Sequence, residues 1–389
     1  MLEIELQRQL PCAPDVAWSL LADPGRINLW SWAQVRSLAL GDGGHVAGVG
    51  ALRRVEVRVP GRVEVDQVVE VADPGARFAY RAYGLAAVRH HLADLTFAQS
   101  GSGTQLSWRV QLALGPPAAE VVVRRAVAAE LRRSLDRLVA AAPTATALPA
   151  PPLRAWSTDR DLDVIARQAA ALEREQRALA TELSAVDDPK RWFVRFCAVA
   201  SECLRGAILR GRFTHPSWVL RVFDATYAFH RDSLLASVRR DRARLEAHWG
   251  RVFAQIARLP RAPGRQVEVA IAPSVAAMVE EDLPRALARV FAEDYAGRCD
   301  FVRFRADLLA FAEVMGEAGQ RLRVSVRPGD WPLPQRWADA AGTRFGGPLF
   351  HAWLSRRVLG AHLAAPQRGW QQAFGRGHRI AHLLVPGAC

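Results

Sequence analysis

Lysine is almost absent from this chain of 389 residues, since Lys190 is the single lysine among its 52 basic side chains. The formal net charge is +13, and residues 1–142 carry only +2 of it. The basic excess is therefore spread over the second half among acidic neighbours, without the dense basic stripe that is typical of nucleic-acid-binding faces. We do not expect a nucleic-acid partner.

Cysteine is also scarce, with five scattered residues and no C-x-x-C pair. This spacing argues against a disulfide framework and against the usual structural zinc motifs. No apolar run approaches the roughly 18 residues that a membrane-spanning helix needs, and the N-terminus lacks the basic and apolar regions of a secretory signal. We therefore expect a cytoplasmic protein without a membrane span.

Common catalytic and cofactor motifs are missing as well. Neither glycine-rich stretch of the second half has the spacing of a phosphate loop, and no G-x-S-x-G nucleophile motif occurs. Only His378 and His382 stand at helical i,i+4 spacing, and no glutamate lies between them. His230 falls on an apolar helical stripe and is interpreted as a satisfied core histidine. We expect neither a metal nor a cofactor.

The first 142 residues alternate apolar and polar side chains in the manner of a β-sheet. A strand near residues 3–10 is followed by two short helices, which Asp23-Pro24-Gly25 separates. Five or six antiparallel strands with glycine and proline turns follow, and then one long amphipathic helix. In the strand 62–71, we predict that Val63, Val65, Val69 and Val71 share the apolar face with Gln67.

The same alternation predicts which side chains of the later strands point inward. Phe78 and Tyr80 share a face, and a strand with Leu95 inward also turns His91 inward. Trp108 lies on the inward side of the last strand. A buried amide such as Gln67 needs either a protein partner or a ligand, because burying it without one costs roughly 1–3 kcal/mol.

Three motifs support a family resemblance for residues 1–142. ADPGRINLW follows the first helix, VVEVADPGARFAYRAYG lies in the middle, and GSGTQLSW lies in the penultimate turn and strand. With the order of elements, they resemble the START-like helix-grip superfamily (SRPBCC), whose bacterial members include the polyketide cyclase/dehydrase group. The resemblance implies an α+β fold, in which a curved antiparallel sheet and a long C-terminal helix enclose a cavity for an apolar small molecule. It does not imply catalysis, because the superfamily also holds carriers and sensors.

The sequence of the second half predicts a separate, all-helical domain. Residues 143–156 form a predicted Pro/Ala-rich linker, and residues 157–389 show helical periodicity throughout. RWFVRF, FTHPSWVLRVFDATYAFHRDSLL, EEDLPRAL and HAWLSRRVLG are similar to an uncharacterised all-helical bacterial family, over about residues 185–375. That resemblance implies a fold and no activity.

Two functions remain open for the predicted cavity. The first is a cyclase/aromatase/dehydratase-type enzyme, a lyase or isomerase of specialised metabolism, that acts by general acid–base chemistry without a metal. The second is a non-catalytic lipid or isoprenoid carrier or sensor, with the helical domain as a partner surface. A site between the two domains is a third possibility, and the oligomeric state is not predicted.

Eight side chains are the predicted site residues. His91 would carry a proton near neutral pH, and Tyr80 would donate to an enolate oxygen. Gln67 would orient a carbonyl group, and Arg54 would hold an acidic tail. The remaining predicted ligand contacts are aromatic: Trp30, Trp32, Phe78 and Trp108.

Overall fold

The computed structural model describes residues 2–58, 62–84, 88–114, 118–151, 161–258, 263–326 and 348–375. It confirms the predicted fold class, an antiparallel sheet with a long helix followed by an all-helical region. The chain divides into two compact units. The first comprises Met1–Trp156 together with Cys299–Ala306, and the second comprises Ser157–Arg298 with Asp307–Cys389. Nothing in the sequence indicated that residues 299–306 pack with the first unit.

The first unit contains a seven-stranded antiparallel sheet in the order β1-β7-β6-β5-β4-β3-β2. Two short helices follow β1, and Asp23 caps the second of them by accepting a 3.0 Å hydrogen bond from the Arg26 amide. The elements of this unit up to residue 141 are β1 (Leu2–Leu10), α1 (Pro14–Ala22), α2 (Pro24–Trp30), β2 (Gln34–Ala39), β3 (Leu52–Arg58), β4 (Arg62–Asp73), β5 (Arg77–Tyr83), β6 (Val88–Ser100), β7 (Gly103–Leu114) and α3 (Ala118–Ala141).

The core of the first unit lies between the concave face of the sheet and the three helices. Leu95 of β6 and Trp108 of β7 are opposite each other in the register, and both are buried. Leu135 and Leu138 of α3 are fully buried in the same cluster. The alternation predicted for β6 and β7 is therefore confirmed. Each fully buried leucine contributes about 1.5–3 kcal/mol of hydrophobic free energy.

The predicted face of β4 is wrong beyond Val69. The pairing of β4 with β5 shifts between Val69 and Val71, so that a β-bulge interrupts the alternation. Because a bulge adds one residue, it reverses which side chains face the core beyond it. Ala72, rather than Val71, joins the buried cluster after the bulge. At the other end of the strand, Val63 is 36% exposed.

The second unit is built from helices with large aromatic side chains in their interfaces. Phe193, Trp218, Phe223, Tyr227 and Trp249 are all buried. Among the residues that the structure describes, no helix is both long enough and apolar enough to span a bilayer. The helices are α4 (Leu162–Ala185), α5 (Arg191–Leu209), α6 (Pro216–Val238), α7 (Ala247–Ala257), α8 (Pro263–Ala277), α9 (Leu283–Asp294), α10 (Arg305–Ser325) and α11 (Pro348–Gly375), with a π-helical turn at Met278–Asp282 between α8 and α9.

Candidate functional site

A buried arginine lies on the concave face of the sheet in the first unit. Arg53 of β3 is only 1% exposed, and it stands opposite Gln67 of β4 in the register. Its Nη2 donates a 3.2 Å hydrogen bond to Gln67 Oε1, and its Nη1 donates a longer one of 3.4 Å to the carbonyl oxygen of Ala22. Arg53 is therefore the partner that the buried amide of Gln67 requires.

Two aromatic rings of β5 lie against the Arg53 guanidinium. Its Cζ is 5.0 Å from the ring centroid of Phe78 and 4.9 Å from that of Tyr80. Trp18 of α1 packs edge-on against Phe78, at 5.9 Å between the ring centroids. A cation over an aromatic face is attracted by the negative charge above the ring. These contacts hold the guanidinium plane in one place.

Burial changes the protonation equilibria of this cluster. Desolvation lowers the pKa of Arg53 to about 10, against the opposing influence of Tyr80 and Asp23. Desolvation also raises the pKa of Tyr80 to about 12, although the positive charge of Arg53 works in the opposite direction. At neutral pH both side chains therefore keep their protons, so the guanidinium of Arg53 and the hydroxyl of Tyr80 are both available as donors.

Arg53 forms no direct ion pair within the described ranges, and the negative charge of Asp23 acts on it only from further away. No carboxylate there forms a salt bridge with its guanidinium, and its Nε has no hydrogen-bond partner. A buried charge without an acidic partner is costly, so buried arginines are usually paired. The arrangement is suited to a ligand that brings its own negatively charged or strongly accepting oxygen.

His91 lies beside Tyr80, with 5.9 Å between the two ring centroids. Backbone pairing of β5 with β6 runs from Arg77 opposite Thr96 to Tyr80 opposite Ala93. Beyond that point, the amide of Ala82 donates a 3.1 Å hydrogen bond to Nδ1 of His91. Only an unprotonated Nδ1 accepts this bond, so the neutral ring carries its proton on Nε2. In this geometry His91 offers a donor N–H at Nε2, and the proton-carrying role of its side chain stays a prediction.

The predicted tryptophans occupy three different environments. Trp108 is buried on the inner face of β7, and its Nε1 has no partner in the described part of the chain. Trp30 donates from Nε1 to the carbonyl oxygen of Leu20 at 2.9 Å, which ties α2 to α1. Trp32 follows α2 and is half-buried. Of the three, Trp108 alone offers a buried polar atom for a ligand.

Arg54 points away from this cluster, to the opposite face of the sheet. Its Nε and Nη2 donate to the two carboxylate oxygens of Asp66 at 2.6 and 3.0 Å, and its Nη1 lies 3.2 Å from Glu64. It borders a surface cavity of about 270 Å³. The structure thus places the predicted acid-binding arginine outside the cluster and puts its neighbour Arg53 inside. The sequence alone did not distinguish the two neighbouring arginines, because the pairing of Arg53 with Gln67 appears only when the two strands are aligned.

The second unit contains an ionic cluster around the π-helical turn. Glu246, His248 and Asp282 offer ligand atoms within 4.8 Å of one another, as a metal site would. However, Arg285 Nη1 lies 2.5 Å from Glu246 Oε2 and 3.4 Å from Asp282 Oδ1. Trp249 Nε1 also donates to Asp282 at 2.9 Å. Since the guanidinium of Arg285 already pairs with both carboxylates, the geometry favours an ion-pair network over a metal site.

The absence of a metal remains a prediction, and His378 and His382 lie outside the described residues. His230 is buried as expected, but it is not satisfied. Neither ring nitrogen has a partner in the region that the structure covers. Trp249 and Phe193 pack edge-on around the imidazole, with ring centroids at 4.6 and 4.7 Å. Burial lowers the pKa of His230 to about 3.

Comparison with known proteins bears on the first unit. No curated protein matches the chain. Protein CV1439 from Chromobacterium violaceum is one similar solved structure, with 20% identity over 36% of this chain and 96% of that chain, and a TM-score of 0.29. Another is protein NE0264 from Nitrosomonas europaea, with 14% identity over 36% of this chain and 92% of that chain, and a TM-score of 0.29.

The di-domain ARO/CYC StfQ from the steffimycin biosynthetic pathway is similar at 16% identity, over 36% of this chain and 50% of that chain, with a TM-score of 0.30. These low identities and scores carry no conclusion about activity. The family model described as polyketide cyclase / dehydrase and lipid transport matches residues 1–143. The resemblance of the first 142 residues to this family is thereby confirmed.

Proposed function

We propose that the first unit binds an apolar small molecule with an acidic or enolised oxygen, and that it acts on it as a cyclase/dehydratase-type enzyme of specialised metabolism. The observation that carries this proposal is the buried guanidinium of Arg53, which forms no direct ion pair with a carboxylate among the described residues. The rings of Phe78 and Tyr80 supply an apolar wall beside it. The match to the polyketide cyclase/dehydrase family supports the same substrate class.

The chemistry of such a substrate fits a site made of donors. A carbon between two carbonyl groups gives up its proton to water readily, so the ligand enters as, or easily becomes, an enolate. Arg53 and Nε2–H of His91 would hold the enolate oxygen. The apolar wall would fold the chain so that the enolate carbon bonds to a second carbonyl carbon. Tyr80 would protonate the resulting alkoxide and recover its proton from water. The carbon between the carbonyl groups would then lose its second proton to water as the C–O bond breaks and the C=C bond forms. The departing hydroxide would take up a proton from water, so that one water is released overall.

A carrier or sensor is the second candidate, and one observation favours it. The hydrogen bond from Ala82 occupies Nδ1 of His91, so this imidazole is not poised to accept a proton. Arg53, Tyr80 and His91 would then bind the head of an organic acid without reaction. The helical unit would serve as the partner surface in that case.

Native mass spectrometry of the full chain, followed by extraction of any co-purified molecule, tests the proposal. The extracted compound is returned to ligand-free protein, and its mass is followed over time. An enzyme produces an isomer or a product lighter by one water, and Tyr80→Phe slows this step while the compound still binds. A carrier returns the compound unchanged. The matched control is Arg54→Met on the opposite face, which should behave as wild type, whereas Arg53→Met should lose the ligand. Equal retention of ligand by both variants would refute the site.

A further inference from the structure

Residues 299–306 lie far along the chain from β3 and yet belong to the first unit. A 3₁₀ turn at Phe301–Phe304 leads directly into α10 at Arg305. The segment contacts the loop between β2 and β3, which spans residues 40–51. This contact bears on the ligand site, because β3 carries Arg53.

Several contacts join the segment to this loop. Asp300 Oδ2 accepts a 3.0 Å hydrogen bond from the amide of Gly43. Arg303 Nε lies 2.8 Å from Oδ2 of Asp42, and both side chains are largely buried. Two further contacts involve Gly50. Its φ is +79°, and a β-carbon there would collide with the carbonyl oxygen of Val302. Only glycine fits such a close backbone approach at a positive φ.

Arg305 makes the contact nearest to β3. Its Nη1 donates to the carbonyl oxygen of Gly50 at 2.8 Å and to that of Leu40 at 3.0 Å, so one nitrogen closes both ends of the loop. Arg305 is 7% exposed and has no carboxylate partner in the described ranges. Hydrogen bonds from a charged guanidinium are stronger than those from a neutral donor. The buried guanidinium of Arg305 therefore fixes the positions of both carbonyl groups.

Two backbone hydrogen bonds at the beginning of β3 connect the position of Gly50 to that of Arg53. The amide of Gly50 donates to the carbonyl oxygen of Val69 at 2.8 Å, and the amide of Val69 donates to that of Ala51 at 3.0 Å. These two bonds set the register in which Arg53 stands opposite Gln67. A shift of one residue would turn Arg53 to the outer face and Arg54 inward.

We propose that Arg305 is a positioning residue for the ligand site, which fixes the beginning of β3 and thereby the guanidinium of Arg53. This inference rests on the proposed function, in which Arg53 binds the negatively charged end of the ligand. It also assigns a role in the site to a residue from the distal half of the sequence. The alternative is that Arg305 only stabilises the fold.

Two fluorescent probes separate these roles in the full-length protein at neutral pH. The first is 3-hydroxy-2-naphthoate, an aromatic ligand with a carboxylate, and the second is 2-naphthol, which lacks the carboxylate and is uncharged. Loss of a charge-assisted hydrogen bond weakens binding by about tenfold or more. In Arg305→Met we expect about that loss for the naphthoate and no loss for 2-naphthol. Arg305→Lys should restore part of the naphthoate affinity, since an ammonium group also donates to carbonyl oxygens.

Gly50→Ala disturbs the same contact from the opposite side and should show the same selective loss. Arg298→Met, at an exposed arginine of the second unit, is the matched control. Equally weakened binding of both probes by the Arg305 and Gly50 variants would show that Arg305 has only a structural role, and would overturn the proposal. Wild-type affinity of these variants for both probes would overturn it as well. If Arg53→Met binds the naphthoate as wild type does, the proposed function fails instead.

Discussion

His230 gives the sharpest prediction about the second unit, because its burial ties stability to pH. In the folded protein the ring stays neutral down to a pKa of about 3, whereas the ordinary value is 6.5. Between these two pH values, the His230 ring is protonated in the unfolded chain and neutral in the folded chain. Acid therefore favours unfolding in this window, and the stability present above pH 6.5 is lost as the pH falls.

The size of the effect follows from the two pKa values. Lowering the pH from about 7.5 to about 5 should cost about 2 kcal/mol of unfolding free energy through His230 alone. His230→Phe suits the surrounding rings and removes both unpartnered nitrogens. His230→Gln removes the titration but keeps a polar group. Both variants should lose this pH-dependent contribution, and the phenylalanine variant should also be at least as stable as wild type near neutral pH.

Urea denaturation at the two pH values, followed by circular dichroism at the helical band, measures the difference. Other titrating groups contribute equally to wild type and variants, so the comparison isolates His230. An identical drop in stability for wild type and both variants would show that the imidazole is charged or solvated in the folded state. The aromatic enclosure by Phe193 and Trp249 would then not exclude water as the geometry indicates.

Three further predictions concern the packing and the ionic cluster. Leu138→Ala, at a fully buried position of α3, should cost about 2–5 kcal/mol of unfolding free energy in urea denaturation, whereas Leu29→Ala, at a side chain that is 77% exposed, should cost less than about 0.5 kcal/mol. Asp282→Asn removes a fully buried carboxylate from His248, Trp249 and Arg285 and should cost about 3–5 kcal/mol. The control Glu280→Gln, in an exposed pair with Arg357, should cost less than about 1 kcal/mol, so similar losses in the two variants would contradict the buried network. Addition of Zn²⁺ or of a chelator should leave the thermal unfolding midpoint unchanged, because Arg285 already pairs with Glu246 and Asp282; a rise with Zn²⁺ would identify a metal site.

Local patterns in the sequence account for much of the first unit. The alternation in β6 and β7 places Leu95 and Trp108 on the concave face as predicted. This succeeds because the two-residue period of a strand is a local property, and one buried face is enough to reveal it. The order of turns and of short helices likewise indicated the helix-grip fold, and the family match to residues 1–143 agrees with it.

The same local pattern did not predict which side chains of β3 face the core. Arg53 and Arg54 are neighbours with the same chemistry, so composition does not tell which one faces inward. The pairing of Arg53 with Gln67 decides it, and that pairing is a property of two strands. The bulge after Val69 reversed the predicted side of Val71 for a similar reason, since the register shift shows only when both strands are aligned.

The sequence by itself determined the α+β class, the helix-grip order and the inward rings of Phe78, Tyr80 and Trp108, because these depend on neighbours in the chain. The tertiary structure alone decided that Arg53 is the buried cation and that Ala82 fixes the tautomer of His91. It also decided that Arg305 holds Gly50 across 255 residues. Such partners are selected by packing in three dimensions, and no periodicity along the chain records them.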